Sequence, residues 1–479
     1  MFQKHNICNH YPLYQKKYDM NNTLIPFLDR QREQSKIQKA LNREASQLIV
    51  LYGRRRCGKS RLLTHMLDEG KDIYYHADRT DSYHQIELFS NQASIILNGF
   101  NRATYPNWET VLLSLNDRMS ERRVVCIDEF PYLVKSEPSL PSVLQRLIDT
   151  RQLKFDIILC GSSQQMMNTA ILDSGSPLYG RADEVIKILP LMPHYIQKAL
   201  NINSVKAVEE YAIWGGVPRY WEIRLRHESL VEAVMEEVLN SDGLLYDEPS
   251  RLFLDEMRDL ELSSSILSLV GNGCNRLSEI AARLERPATS LTTPISRLIS
   301  YGYLQRELPY AELPKNSKRS LYKIADPFLN FYFHYVTPNR SLIEFRRQER
   351  LKDLLESSLS NYVANMWEHL CRQAIPLMTI EGMTFRPASR WWGTVRRNTT
   401  IELDVVSESD DGSTVLVGEC KWSDRENVDQ LRSSLLQRAS QLPFLRGRRV
   451  LPLLFLKEKP KSDTPDGCLY PNDIIEQLT

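Results

Sequence analysis

The sequence lacks several features that would have assigned it to a special class. Its eight cysteines include no Cys-x-x-Cys pair, which argues against a disulfide framework or a zinc site and favours reduced thiols. It has no long uninterrupted apolar segment, and residues 1–22 are too polar for the apolar region of a signal peptide. We therefore expect a cytoplasmic protein without membrane contact, in which residues 1–22 form a poorly ordered tail.

An excess of charge of one sign is also lacking. Sixty-one Lys and Arg face sixty Asp and Glu, so the formal charge is +1 and any attraction to nucleic acid must come from local basic patches. Apolar residues make up 42% and charged residues 25% of the sequence, as in ordinary globular proteins. Because 479 residues exceed one comfortable hydrophobic core, we expect about two to four domains.

Short apolar runs recur along residues 23–190, and helical stretches separate them. The runs are SQLIVLYG, KDIYYH, RRVVCIDEF, FDIILCGSS and DEVIKILPL. This alternation predicts a multidomain α/β protein whose first domain is a mainly parallel sheet covered by helices. Residues 191–257 show an interrupted helical pattern, which we interpret as a helical lid.

The segment GRRRCGKS matches the phosphate-loop pattern GxxxxGK[ST] and stands between a predicted strand and a predicted helix. Glycines let backbone N–H groups surround a β-phosphate, and the helix N-terminus adds a favourable dipole. Lys59 would neutralise the β- and γ-phosphates of ATP, and Ser60 would bind Mg²⁺. The predicted ATP-binding residues of this segment are Gly53, Arg54, Arg55, Arg56, Cys57, Gly58, Lys59, Ser60 and Arg61.

An acidic pair follows in the apolar strand VVCIDEF. Asp128 would bind Mg²⁺ and Glu129 would polarise the attacking water, which favours hydrolysis over nucleotide holding. The alternative is that the pair only caps the strand. Ser162 or Ser163, after the next strand, would sense the γ-phosphate or cap a helix. Arg181 is either a charge-stabilising finger, acting in its own subunit or a neighbouring one, or a surface arginine.

These segments resemble, in order, the archaeal-type ATPase family of the STAND and AAA-like P-loop superfamily. The resemblance rests on FLDRQRE, LYGRRRCGKSRLL, VVCIDEFPYL, LCGSS, PLYGRADE and GGVPRYW, and covers about residues 24–225. It implies that ATP hydrolysis drives a conformational switch. It also implies that Arg30 and Pro218 lie near the adenine.

Residues 258–338 have the helix lengths and spacing of a winged helix. Its second and third helices would lie in LSEIAARL and TSLTTPISRLISYGYL, and its wing strands in YLQREL and SLYKIA. Such a module either binds DNA or packs within the protein to communicate nucleotide state, and Pro294 makes the third helix a poor base reader. The basic residues placed to touch phosphates are Arg297, Lys315, Lys318 and Arg319.

Two strand-like segments near the C-terminus, TIELDVV and VLVGECKW, flank SESDDGS. If Asp411 and Gly412 form a two-residue hairpin turn, Asp410 pairs with Ser413 and the register of the hairpin follows by counting.

The counted register places Asp404 opposite Glu419 and Glu402 opposite Lys421. All four side chains would then share one face, because side chains alternate along a strand. The side chains predicted to point away are Leu403 and Cys420. Asp404 and Glu419 would bind Mg²⁺, and Lys421 would orient or deprotonate a water that attacks a phosphodiester. Alternatively, Glu419 and Lys421 form a solvated pair at a sheet edge.

This arrangement resembles the PD-(D/E)xK nuclease superfamily, and residues from about 355 onward resemble the restriction-endonuclease-like domain at the C-terminus of such ATPases. The resemblance implies that Glu368 completes the metal site and that Gln430 is an auxiliary polar residue. Glu368 could instead only pair with Arg372, four residues on. A set of aromatic and basic residues would bind a nucleic-acid backbone or anchor a charged loop. The set is Arg386, Arg390, Trp391, Trp392, Arg396 and Arg397.

We therefore predict a P-loop ATPase core, a helical lid, a winged helix, and over residues 339–479 a linker helix with a nuclease-like domain. The nucleotide cycle would gate a Mg²⁺-dependent cut in nucleic acid, DNA more than RNA, and assembly into a homo-oligomer stays open. The alternative is an ATP-driven signalling switch whose C-terminal domain binds without cleaving. A third interpretation is a DNA-binding regulator that uses the winged helix.

Overall fold

The computed structural model describes residues 25–254, 256–257, 259–313, 319–395, 399–445, 447–459 and 466–479. The predicted tail over residues 1–22 lies outside these ranges. Four basic residues that we assigned to nucleic-acid contact lie outside them as well, namely Lys315, Lys318, Arg396 and Arg397.

The N-terminal part contains a five-stranded parallel sheet with the strand order β2-β3-β4-β1-β5. The strands are β1 Leu48–Tyr52, β2 Ile73–His76, β3 Val124–Asp128, β4 Asp156–Gly161 and β5 Glu184–Lys187. The helices are α1 Gln31–Leu41, α2 Lys59–Met66, α3 Ser82–Ser94, α4 Trp108–Arg118, α5 Phe130–Ser136, α6 Leu140–Asp149 and α7 Gln164–Met167. All five predicted strands are confirmed. Every residue of β3 and β4 is buried, as expected for a parallel sheet covered on both faces.

Five helices follow the sheet, in the segment where the sequence shows an interrupted helical pattern. They are α8 Pro193–Leu200, α9 Ser204–Trp214, α10 Pro218–Arg224, α11 Leu230–Glu237 and α12 Glu248–Phe253. The next segment contains α13 Leu260–Gly271, α14 Leu277–Arg283, α15 Ala288–Ser300, the antiparallel pair β6 Leu304–Glu307 and β7 Leu321–Ile324, and α16 Pro327–Phe331. The predicted helices and wing strands are therefore present, and the winged-helix assignment itself stays a prediction.

The sequence predicts one charged amphipathic linker helix in RSLIEFRRQERLKDLLESSL, and this prediction is wrong. The chain forms α17 Arg340–Glu344 and then the 27-residue α18 Gln348–Ala374. Between them, Arg346 has a φ of 52°, a left-handed conformation that ends a right-handed helix.

The C-terminal part contains a mixed sheet with the order β10-β11-β12-β13-β14. Its strands are β10 Ser389–Thr394, β11 Thr400–Glu408, β12 Thr414–Lys421, β13 Arg449–Leu456 and β14 Cys468–Leu469, preceded by the two-residue strands β8 Thr379–Ile380 and β9 Met383–Thr384. The helices are α19 Val428–Ala439 and α20 Pro471–Ile475. One face of the sheet packs on α18, where Trp367 Nε1 donates to Phe455 O at 3.1 Å. The other face packs on α19 through Leu435 and Ala439.

The hairpin of β11 and β12 has the predicted register, because Val405 lies opposite Gly418 and Glu408 opposite Val415. The predicted two-residue turn is wrong. Backbone N–H of Ser409 donates to Thr414 O at 2.9 Å, so residues 410–413 form a four-residue turn. Asp411 stabilises this longer turn, because its carboxylate accepts the backbone N–H of Ser413 at 3.0 Å.

A β-bulge in β11 changes which side chains share a face. Between the pairs Trp391–Leu403 and Ser389–Val406, β11 has one residue more than β10. Leu403 consequently packs in the cluster on the α19 side, whereas Cys420 packs in the cluster on the α18 side. The prediction that Leu403 and Cys420 point to the same face is therefore wrong.

One hydrophobic cluster connects the N-terminal and C-terminal parts. It extends from α2 through α9, α13 and α16 to α18 and the C-terminal sheet. Tyr362 on α18 donates to Ala212 O on α9 at 3.4 Å within this cluster. Within the described ranges, no helix combines the length and apolar character needed to cross a membrane.

Candidate active sites

Two glycines shape the loop between β1 and α2. Gly53 has a φ of 150°, and a side chain there would collide with the carbonyl oxygen of Ile188. Gly58 has a φ of 88° and precedes the first residue of α2. Lys59 is 4% exposed, and its Nζ donates to Gly53 O at 2.7 Å and Arg54 O at 2.9 Å. The ammonium group is therefore held against the loop that would receive the phosphates.

Asp128 ends β3 next to this loop and accepts hydrogen bonds from two neighbouring elements. Ser60 Oγ and Tyr74 OH each lie 2.6 Å from Asp128 Oδ2. Burial alone would raise the pKa of Asp128, but hydrogen bonds from His76, Cys160, Ser60 and Tyr74 together lower it, so the carboxylate stays charged. Ser60 and Asp128 offer the hard oxygen ligands that suit Mg²⁺, and they are close enough to share one ion.

Glu129 adopts a left-handed φ of 54° at the turn from β3 into α5. Its carboxylate accepts the backbone N–H of Ser162 at 3.1 Å and a short hydrogen bond from Ser162 Oγ. Ser162 therefore orients the carboxylate that we assigned to water activation. Ser163 caps α7 by accepting the backbone N–H of Met166 at 3.2 Å, which was the alternative considered for this serine pair.

The arginines around the loop connect it to the rest of the chain. Arg30 donates to Cys57 O in the loop at 3.0 Å and to Leu189 O at 2.8 Å, so it ties the loop to the segment that follows β5. Arg54, 7% exposed, forms an ion pair with Asp326 and donates to Tyr220 OH at 3.0 Å. The other contacts are Arg56 with Glu248 at 2.7 Å and Arg61 with Ile25 O at 2.5 Å. The loop is thus attached to α10, α12 and α16.

The second candidate site is a cluster of acids and cations on β11, β12 and α19. Glu419, 6% exposed, lies between two cations, with Lys421 Nζ at 3.0 Å from one carboxylate oxygen and Arg438 at 2.7 Å from the other. Asp404 Oδ2 accepts the backbone N–H of Cys420 at 2.9 Å. Glu419 and Lys421 therefore lie on the same face of β12, as predicted, and the ion pair between them was part of the alternative interpretation.

Burial and neighbouring charges shift the pKa values of two residues in this cluster. Burial, followed by the negative charges of Glu368 and Glu419, raises the pKa of Asp404 to about 7. Burial alone would lower the pKa of Lys421, but its contact with Glu419 raises it, so the amine is protonated at neutral pH. Lys421 in this arrangement can therefore orient a water molecule but cannot take its proton.

Glu402 and Glu368 each form an ion pair with an arginine. Glu402, predicted to face Lys421, forms an ion pair with Arg390 instead. Glu368 lies 3.4 Å from Arg372, which also donates to Asp404 O at 2.8 Å. Over the described residues, no group of three or more His, Cys, Asp and Glu side chains is arranged to hold a metal ion.

Comparison with known proteins identifies the first of these sites. Residues 27–222 match a family described as an ATPase domain predominantly from Archaea. These residues form a P-loop ATPase domain. Residues 332–432, which include part of the acid cluster, match a family described as archaeal and bacterial proteins of unknown function. The ATPase domain coincides with the segment for which the sequence motifs indicated this resemblance.

Individual proteins resemble this chain at low sequence identity. An uncharacterized protein of Methanocaldococcus jannaschii is 29% identical over 415 residues, which span 84% of this chain and 89% of that protein. A Walker-type ATPase of Pyrococcus abyssi is 22% identical with a TM-score of 0.47, covering 64% of this chain and 96% of its own. The ORC2 protein of Aeropyrum pernix is 14% identical with a TM-score of 0.44, covering 68% of this chain and 97% of its own.

The structure also locates the remaining residues predicted for the ATPase domain. Arg181 forms a two-point ion pair with Asp149, at 2.8 and 2.9 Å, on the protein surface. Pro218 is the first residue of α10. The neighbouring Tyr220 reaches the phosphate loop, since its hydroxyl contacts Arg54 and Glu248.

Most described residues that we assigned to nucleic-acid binding are paired within the protein. Arg319 pairs with Glu312 and donates to Trp392 O at 2.9 Å. Arg386 pairs with Glu408, and Arg390 lies 3.3 Å from Glu307. Arg297 on α15 is exposed. Trp391 and Trp392 lie within β10, so these tryptophans are part of a strand and not of a loop.

Sequence reasoning missed several residues of both sites. Tyr74 and His76 lie two residues apart on β2, and both contact Asp128. The polar end of KDIYYH is a signal for these two residues once β2 is known to neighbour β3. Arg438 contacts Glu419 from the last turn of α19, whereas the predicted auxiliary residue Gln430 is exposed in the first turn. No motif spacing pointed to Arg438.

Proposed function

We propose that the ATPase cycle gates a Mg²⁺-dependent nuclease site in the C-terminal domain, acting on DNA or RNA with DNA as the expected substrate. The observation that supports this proposal is the placement of Asp404 on β11 near Glu419 and Lys421 on β12, close enough for the charges of both to act on Asp404. Burial, together with the charges of Glu368 and Glu419, raises the pKa of Asp404 to about 7, so its carboxylate is held where the charged form is disfavoured. Such a cluster is stable when a cation or a proton neutralises it.

The contacts of the phosphate loop support a coupling route. Arg54 and Arg56 of the loop pair with Asp326 at the start of α16 and Glu248 of α12. A rearrangement of the loop on nucleotide binding would therefore reach the lid and residues 258–338. These residues share a hydrophobic cluster with α18, which packs on the sheet that presents Asp404 and Glu419.

The donor set of the acid cluster suits Mg²⁺ with two protein carboxylates. Mg²⁺ keeps several waters and commonly takes one or two carboxylates together with substrate phosphates, so a three-acid group is not required. Asp404 and Glu419 would hold the ion. The predicted third ligand, Glu368, has weaker support because it contacts Arg372.

Each protein group of the cluster has a definable task in phosphodiester hydrolysis. A bound Mg²⁺ lowers the pKa of a coordinated water and stabilises negative charge on phosphate oxygens. Lys421, protonated in contact with Glu419, would orient the attacking water or hold a phosphate oxygen. Arg438 would keep the Glu419 carboxylate in place from α19. Arg372, which donates to Asp404 O, would fix the strand that carries the second acid.

The remaining parts of the proposal come from the sequence. We divide the chain into the ATPase core 23–190, the lid 191–257, a winged helix 258–338 and a nuclease-like part 339–479. The element order of the last part, α18, then β10, β11 and β12, then α19 and β13, supports the restriction-endonuclease resemblance. The free cysteines of the described chain accord with a cytoplasmic location.

Two lysine variants test the division of labour. Lys59→Ala should abolish ATP turnover, and Lys421→Ala should reduce cleavage about 100-fold or more while turnover stays within about twofold. The assay mixes purified protein with single- and double-stranded DNA and RNA, Mg²⁺ or Mn²⁺, and ATP or ADP. Lys457→Ala is the matched control, since Lys457 directly follows β13, the strand beside β12, and pairs with Asp424 at 2.7 Å. Cleavage that survives both Lys421→Ala and Asp404→Ala would rule out the nuclease assignment.

A second candidate is an ATP-driven switch whose C-terminal domain binds without cleaving. The observation that favours it is the double ion pair of Glu419, because Lys421 and Arg438 already neutralise both of its oxygens. This candidate predicts nucleotide-dependent binding or assembly and no cut product with any divalent metal. The same assay therefore decides between the two functions.

A further inference from the structure

Two guanidinium groups converge on one tyrosine hydroxyl beside the phosphate loop. Arg55, inside the loop, lies 2.6 Å from Tyr132 OH, and Arg79 lies 2.9 Å from the same oxygen. The guanidinium carbon of Arg79 also stands 4.7 Å from the centre of the Tyr132 ring. A hydroxyl and an aromatic face thus fix the positions of two cations from separate elements.

The position of this trio follows from the sheet. Arg79 comes three residues after His76, which is the strand partner of Asp128. Tyr132 comes three residues after Glu129, in the first turns of α5. The two guanidiniums therefore lie at the edge of the sheet where the phosphate loop, the Mg²⁺-binding pair Ser60 and Asp128, and the water-activating Glu129 meet.

The arginine predicted for charge stabilisation, Arg181, is held by an acid on the protein surface. Both ends of its guanidinium bind Asp149, which is on the last turn of α6. Moving Arg181 to the phosphates would break both hydrogen bonds.

We propose that Arg55 and Arg79 are catalytic residues that contact the terminal phosphate of ATP, and that Tyr132 is the positioning residue that orients them. During phosphoryl transfer, negative charge spreads over the oxygens of the terminal phosphate, and cations placed there stabilise the transition state. A guanidinium matches these oxygens better than an amine does, because its planar fork offers parallel donors. ADP lacks the terminal phosphate, so neither arginine contributes to ADP affinity.

The test compares Arg55→Ala, Arg79→Ala and Tyr132→Phe in the full-length protein. We expect kcat for ATP to fall about 10²-fold or more for each arginine variant, and about 10-fold for Tyr132→Phe. The Kd for ADP, measured by calorimetry, should stay within about twofold of the wild-type value, and Arg79→Lys should restore only part of kcat. Arg146→Ala is the control, since Arg146 forms a surface ion pair with Glu109 on α4, and it should keep kcat within about twofold.

Two results would overturn the proposal. One is a kcat within about threefold of wild type for both Arg79→Ala and Arg55→Ala. The other is an equal loss of ADP and ATP affinity in Arg79→Ala and Tyr132→Phe, since this would mean that the trio only supports the loop. Because Arg79 and Tyr132 lie outside the loop, these two variants decide the matter even if Arg55→Ala disrupts the loop itself.

Discussion

At the scale of single residues, Asp404 is held where its charged form is disfavoured. Burial, together with Glu368 and Glu419, raises its pKa to about 7, against about 3.9 in an unfolded chain. Between these two values the folded protein retains a proton that the unfolded chain has released. The free energy of unfolding therefore falls as the pH rises through this window, and this group adds no further change above it.

The substitution Asp404→Asn should remove this penalty. In the presence of a chelator at pH 8, we expect the variant to be more stable than wild type by about 1–3 kcal/mol, and the gain should shrink towards pH 5. Urea unfolding at the two pH values measures the difference. Added Mg²⁺ should stabilise the wild type and narrow the gap if Asp404 and Glu419 bind the ion.

Asp411 provides a control of opposite sign. Hydrogen bonds from Ser409 and Ser413 lower the pKa of Asp411 to about 2, so its contribution to stability is present above the unfolded pKa and is lost in acid. Asp411→Asn should therefore destabilise the protein at pH 8. If Asp404→Asn also destabilised it there, the acid cluster would not have the electrostatics described above.

The residues of the two sites differ in how far the sequence predicts them. Gly53, Lys59 and Ser60 stand in one contiguous motif whose geometry is local, so their positions in the loop between β1 and α2 follow from spacing alone. Arg438 lies 19 residues after Glu419, and their contact depends on how α19 crosses the sheet. The packing of a helix on a sheet is set by many distant side chains, which no short motif records.

At the scale of elements, the residue that caps α16 also contacts the phosphate loop. Asp326 accepts the backbone N–H of Leu329 at 2.9 Å and so caps α16, while its carboxylate forms the ion pair with Arg54. Both side chains are almost fully buried, 7% exposed for Arg54 and 5% for Asp326. One side chain thus stabilises a helix and neutralises a buried cation of the nucleotide site.

Two substitutions at Asp326 separate these contributions. Asparagine also caps helices, so Asp326→Asn should keep the cap of α16. It should still cost about 3–5 kcal/mol of unfolding free energy, because it leaves the Arg54 guanidinium buried without the carboxylate that neutralises it. Asp326→Ala should cost about 1 kcal/mol more through loss of the cap. Urea unfolding measures both. Arg54→Met in the Asp326→Asn background should recover much of the loss, and a cost below about 1 kcal/mol for Asp326→Asn would contradict the buried ion pair.

The C-terminal hairpin shows what sequence reasoning predicts about elements and what it does not. The register was correct because Val405 pairs with Gly418 as counted, even though the turn has four residues and not two. Both turns are centred on the same point of the chain, so the error did not shift the pairing. The bulge near Asp404 was not predicted, because it arises from the pairing of β11 with β10 on its other side.

At the scale of the whole molecule, the predicted parts share one core. Sequence motifs describe each part separately, whereas the largest hydrophobic cluster joins the ATPase domain, the lid and the C-terminal sheet. The C-terminal helix α20 is part of this shared cluster. Ile474, Ile475 and Leu478 are fully buried, and Ser204 on α9 donates to Asn472 at 3.1 Å. The C-terminal end of the chain therefore helps to hold α9 in place.

Deletion of residues 471–479 should consequently weaken the ATPase domain, because these residues contact α9. Loss of Ile474, Ile475 and Leu478 removes burial worth about 1.5–3 kcal/mol for each side chain, as an upper estimate. We expect a lower Tm and a lower kcat for ATP, because α9 loses its support. Asn472→Ala is the control, since it removes a polar contact and leaves the apolar packing intact. If the truncated chain kept its ATP turnover and Tm, the packing of residues 471–479 on α9 would not support the ATPase domain, and any coupling to Asp404 and Glu419 would have to pass through α16 and α18.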